Sequence, residues 1–144
     1  MSDPQEPWYA RFIRDRGCIR SNGSVRPEAF LDKRPPHNTS VNRHECFKED
    51  IHWDEGAMID PRRPMIGAAD ISASRIQAAH MSVEETHNQD EPPHHAEIRG
   101  WNMDDSDEGK HARKEVAREL ANRSEFVEIP LEGLKSDCGD NRRL

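Results

Sequence analysis

The chain is 144 residues long, and Val, Ile, Leu and Phe supply only 23 of them, about 16%, below the roughly 20% at which a chain that also carries high net charge fails to build a core. Its 28 acidic residues are largely offset by 21 basic ones, leaving a net charge of -7, so a thin core in one small domain stays open to it while two domains do not. No apolar run approaches the ~20 residues needed to span a bilayer, the acidity argues against duplex nucleic acid as the main partner, and three cysteines without a close pair argue against a disulfide framework and for a reducing, cytoplasmic setting.

Residues 1–7 are acidic and proline-containing and predict a frayed leader rather than a secretory signal. Trp8, Tyr9, Phe12 and Ile13 form the first apolar cluster, compatible with a strand or a short helix. Residues 16–24 are rich in types that tolerate positive φ and predict a turn-bearing connection. Val25 to Phe30 predicts an irregular segment pinned by Phe30, since Pro27 cannot take a central ladder position. Lys33 to Asn38 is a further loop. Thr39 to Arg43 alternates and predicts a brief strand with Val41 inward; Arg43 shares that face and so requires a carboxylate or carbonyl partner. His44 to Lys48 predicts a helical turn burying Phe47, with Ile51 and Trp53 extending the apolar cluster. Asp54 to Pro64, broken by Gly56, Pro61 and Pro64, predicts a long loop.

From Ile66, a short helix capped by Asp70 or Ser72 is predicted to carry Ile71, Ile76 and Ala79. Met81 to Glu85 alternates as a strand, Thr86 to Pro93 is a polar loop, and His95 to Arg99 alternates again with Ala96 and Ile98 on one face. Asp107 to about Arg123 is the clearest helix: Ala112, Val116 and Leu120 recur every fourth residue, Ala117 and Ala121 widen the stripe, and Glu119 is set to pair with Arg123. Phe126, Val127 and Ile129 predict a last strand, and residues 131–144 a disordered tail.

Three short signatures follow in order: Ala29-Phe30, then Ser40-Val41-Asn42-Arg43, then His95-Ala96-Glu97-Ile98-Arg99-Gly100. In this the chain resembles a loose group of small, uncharacterised bacterial proteins that carry an AF, an SVxR and an HAxIxG signature, over roughly residues 8–100. The resemblance implies no activity. It implies that Arg43 and His95 belong to one site or one hydrogen-bond network.

Two constellations carry candidate chemistry. His44-x-Cys46-x5-His52, with Cys18 in reserve, has the ligand types zinc prefers but not the spacing of the common knuckles; a small buried Cys46 between two exposed loop histidines is the simpler account, so neither metal nor cofactor is expected. Among His37, His44, His94 and His95, the last is best placed as a proton shuttle or ligand contact, because it opens a predicted strand and pockets form at strand ends. Arg43 offers a planar, two-pronged donor set for phosphate or carboxylate, and Ser40 and Asn42 on the same strand complete the candidate ligand-binding set. No GxSxG, P-loop, GxGxxG or HExxH occurs. The acidic run from Asp104 to Glu108 lacks the spacing of a calcium loop. The basic residues Lys110, His111, Arg113, Lys114 and Arg118 read as a solvated helix face.

The sequence therefore predicts a single α+β domain over residues 8–130, with a mixed or antiparallel sheet of about four strands and two or three short helices. Two functional classes compete, and catalysis is left open. The first is an interaction or regulatory module that binds a protein partner or itself to complete a sparse core. The second is a small enzyme or ligand-binding domain for a phosphorylated or nucleotide-like compound, built on Arg43 and His95. A flat surface with exposed Trp8, Trp53 or Trp101 marks the first; a concave pocket holding Arg43 and His95 marks the second.

Overall fold

The computed structural model describes residues 6–32, 34, 36–45, 50–86 and 93–130. The predicted leader, apart from Glu6 and Pro7, lies outside them, as do Cys46, Phe47 and the predicted tail. The Glu6 carboxylate accepts from the backbone N–H of Ser74 at 2.8 Å, and the Pro7 carbonyl accepts from Ala73 at 3.0 Å.

The apolar cluster at the start of the chain forms strand β1 (Trp8–Ile13). It pairs antiparallel on one side with β2 (Thr39–His44), Tyr9 facing Arg43, and on the other with β3 (Gly67–Ser72), Tyr9 facing Ile71. Strands β4 (Ser82–Glu85) and β5 (His95–Arg99) extend the sheet beyond β2, and β6 (Glu125–Glu128) closes the far side, in the order β4-β5-β2-β1-β3-β6 with every neighbour antiparallel. The fold is α+β, as its pattern predicts, with six strands rather than about four. Two corrections account for most of the difference. β1 settles the open choice between strand and helix, and the unit that begins at Ile66, with a helix predicted after a cap at Asp70 or Ser72, opens with strand β3, whose six residues are all buried. Ile71 therefore sits in a strand, and Ser72, whose Oγ accepts from Arg75 at 3.4 Å, caps a shorter helix α2 (Ala73–Ala78).

Strand alternation divides the core between two faces. On one, Tyr9, Ile13, Val41, Ala69, Ile71, Ala96 and Ile98 pack with Phe30 and with Ile76, Ala117, Leu120 and Ala121 of α2 and α3 (Asp107–Arg123). On the other, Ala10 and Ala68 meet Ile51 and Trp53. Trp53 begins helix α1 (Trp53–Ile59), where a loop was predicted. The misleading residue is Gly56: a Cβ there would stand 2.8 Å from the Met65 sulfur and from the Phe12 ring, so this glycine lets the helix lie down on the sheet. Helix α3 starts at Asp107, as its pattern predicts, and is capped by Ser106, whose Oγ accepts from Gly109 at 3.2 Å. No helix among the described residues is long and apolar enough to cross a membrane.

Candidate functional site

The alternation of β2 turns Val41 and Arg43 toward the face that carries α2 and α3, and Ser40, Asn42 and His44 toward α1. Because Asn42 lies opposite His95 in the β2–β5 register, His95 joins the α1 face. The backbone N–H of Arg43 donates to the His94 carbonyl at 2.8 Å, which fixes the residue just before β5 against the end of β2. Above this corner α1 starts: His52 is its N-cap residue and Glu55 lies three positions on, on the same side.

The three groups meet. The rings of His52 and His94 stack with centroids 3.9 Å apart and planes 9° from parallel. Glu55 Oε2 lies 2.5 Å from His94 Nδ1, while Oε1 accepts from Asn42 Nδ2 at 3.0 Å and from the His94 backbone N–H at 3.4 Å. One ligand atom from each of His52, Glu55 and His94 falls within 4.8 Å of the other two. Burial, then the neighbouring His94, pushes the His52 pKa down. Burial alone would raise the Glu55 carboxyl, but the hydrogen bonds from Asn42 and His94 together hold it below the usual carboxylate range.

Two cavities flank the cluster. One, of about 80 Å³, is lined by Ser40, Asn42 and His95 of the sheet with Phe12, Arg14 and Ile59 at its walls. The other, of about 200 Å³, is lined by Arg43, Glu85, Pro93, His94 and His95. The structure thus brings Ser40, Asn42 and His95 together in one cavity and Arg43 with His95 in the next. Asn42 is 2% exposed, and its Oδ1 has no hydrogen-bond partner among the described residues. His95 Nδ1 lies 2.7 Å from Thr86 Oγ1.

Arg43 is not the buried cation its strand position suggests. About a third of its side chain is exposed, and it is held by Glu45 at 2.9 Å and by Glu85. Tyr9 donates to the same Glu85 carboxylate at 3.4 Å; burial first, then the Glu85 charge, pushes the phenol up to about 12. Two carboxylates thus meet the Arg43 charge, which leaves this side of the corner poorly suited to an anion. Two arginines line the smaller cavity: Arg11, which donates to the carbonyls of Ala29 at 2.9 Å and Ser40 at 3.0 Å, and Arg14, which donates to those of Gly56 and, at 3.2 Å, of Arg63.

The sequence trio His44, Cys46 and His52 divides. His44 lies wholly buried with Nε2 2.7 Å from Asp70 Oδ1, so Asp70 is a buried partner rather than a helix cap; His52 turns to His94, and Cys46 lies outside the described residues. His37 is buried at a positive φ of 67°, its Nδ1 2.7 Å from the Asp32 carbonyl. Glu55 is the residue that sequence reasoning misses, because residues 54–64, with Gly56, Pro61 and Pro64, read as a loop. The signal available was His52-x-x-Glu55, whose spacing puts both side chains on one side of a helical turn. No protein-family model, no curated protein and no solved structure matches the chain.

Proposed function

We propose that this chain is a small ligand-binding domain whose ligand enters the cleft between α1 and the β2–β5 strands, over Ser40, Asn42 and His95. The observation that carries the proposal is Asn42, a buried residue lining the cavity, whose Oδ1 has no hydrogen-bond partner among the described residues. Leaving such a group unsatisfied costs about 1–3 kcal/mol, which a donor on a bound molecule recovers. The cavity of about 80 Å³ suits a small polar group, and Arg14 at its wall favours one bearing an acceptor or negative charge. Arg43 has no anion-binding part in this scheme, because Glu45 and Glu85 already hold it.

Thermal melts of the protein against a panel of small phosphorylated, carboxylated and hydroxylated compounds test this. A binder present at a hundred times its dissociation constant stabilises by about 2.7 kcal/mol. Ser40 is exposed on the cavity side of β2, so Ser40→Phe fills the space with little disturbance to the core and should abolish the shift. A ligand response retained in Ser40→Phe would remove the site from this cavity.

The interaction-module class keeps one observation in its favour. Met58 and Ile59 at the end of α1 are 76% and 53% exposed, an adjacent apolar pair of the kind a partner covers. The tryptophans do not support it: Trp53 and Trp101 are buried, and Trp8 is partly covered, with the Arg75 guanidinium 5.5 Å above its ring. Concentration-dependent sedimentation that vanishes in Met58→Ser/Ile59→Ser would favour this class over the ligand cleft.

A further inference from the structure

We propose that His52, Glu55 and His94 form a binding site for a divalent first-row transition metal of the zinc type. Two imidazoles and one carboxylate are the donor set of hydrolytic zinc centres, which keep a fourth position open for water or substrate. Their ligand atoms already lie within 4.8 Å of one another. A tetrahedral ion with bonds of about 2.1 Å needs neighbouring ligands about 3.4 Å apart, and the two rings, now 9° from parallel, must tilt to aim their in-plane lone pairs at one point, so side-chain rotation with movement of an ångström or so closes the set.

The surroundings are those of a supported metal site rather than of an accidental cluster. Asn42, itself buried, donates to Glu55 and fixes the direction of its carboxylate, the role that outer partners play at metal centres. His94 also lines the cavity of about 200 Å³, which leaves room at the ion for a fourth, exchangeable ligand. Glu85 in that wall and Glu45 on the other side of Arg43 keep the local charge from turning positive. The site does not depend on the proposed ligand in the smaller cavity, although Asn42 borders both.

Zinc titration into the full-length, chelator-washed protein by calorimetry tests the assignment. One equivalent should bind, and His52→Ala, Glu55→Gln and His94→Ala should each weaken it at least a hundredfold. Asn42→Leu, which removes only the outer support, should cost about tenfold, within the 10–100-fold range for such partners. His111→Ala, exposed on α3, should leave the affinity unchanged. Folding of each variant is checked by circular dichroism, and the wild-type titration stands without them. Cobalt(II) in place of zinc supplies a second readout: its visible bands should appear without a thiolate charge-transfer band and persist in Cys46→Ser. Failure of the folded wild type to bind zinc saturably, a thiolate band lost in Cys46→Ser, or affinity unchanged in Glu55→Gln would each overturn the proposal.

Discussion

At the scale of single residues, exposure decides what the polar contacts contribute. The Arg43 pairs with Glu45 and Glu85 sit at the rim, where solvent and side-chain entropy hold such pairs to about 0–1 kcal/mol. Arg43→Ala should therefore lower the unfolding free energy by no more than about 1 kcal/mol in a urea titration. His44 and Asp70 are wholly buried, 2.7 Å apart. Asp70→Ala removes the carboxylate from an imidazole that water cannot reach, and the same titration should show a loss of about 3 kcal/mol or more. Tyr9 adds a dependence on pH. Its folded pKa is raised above the unfolded value near 10 to about 12, so its contribution is complete below pH 10 and is lost as pH rises from 10 toward 12. The loss is on the order of 3 kcal/mol, since each of the two units is worth about 1.4. Tyr9→Phe should flatten the stability profile between pH 10 and 12, and an unchanged profile would assign the alkaline loss to other groups.

At the scale of elements, sterics overrides propensity at two glycines. Gly109 lies in the first turn of α3, where Gly→Ala is ordinarily worth up to about 1 kcal/mol in favour of the helix. A Cβ there would stand 2.0 Å from the Asp104 carbonyl oxygen, so Gly109→Ala should destabilise instead, by about 1–3 kcal/mol in chemical denaturation. Gly67 in β3 is constrained in the same way: its Cβ would meet the Val127 carbonyl oxygen at 2.3 Å across the ladder to β6. The same contrast explains which elements were legible. α3 announces itself by an apolar stripe with a four-residue period, and β2 and β5 by strict alternation, because each has one face on the core and one elsewhere. β3 does not alternate, being buried on both faces with Gly67, Ala68 and Ala69 as its filling; small residues chosen for close approach carry little strand propensity. α1 was obscured by the glycine that allows it to pack. With α1 went Glu55, and so the candidate site was legible as Ser40, Asn42 and His95 but not as the histidine–carboxylate cluster beside them.

At the scale of the whole molecule, the sheet orders stability from the centre outward. β1 has a strand on each side, and its residues support both apolar clusters. Hydrogen exchange under native conditions should find the slowest amides in β1 and β3, exchanging only with global unfolding, while β4 and β6 open at lower free energy. Protection in β4 equal to that in β1 would mean that the edge is held by contacts beyond its one ladder.

Those two edge strands bear on how the protein tolerates its own company. Each carries glutamates, and each glutamate is tied to an arginine from a neighbouring element: Glu84 to Arg99 and Glu85 to Arg43 on β4, Glu125 to Arg75 and Glu128 to Arg16 on β6. An incoming strand from a second molecule would find a ladder to extend but would have to strip water from these ion pairs to reach it. The charged borders thus act as a colloidal guard for a protein with little apolar surface to spare. The guard weakens as salt screens the pairs and as acid neutralises the carboxylates. Light scattering at fixed protein concentration should accordingly rise as pH falls through the carboxylate range, and rise earlier when Glu84 and Glu128 are both replaced by glutamine.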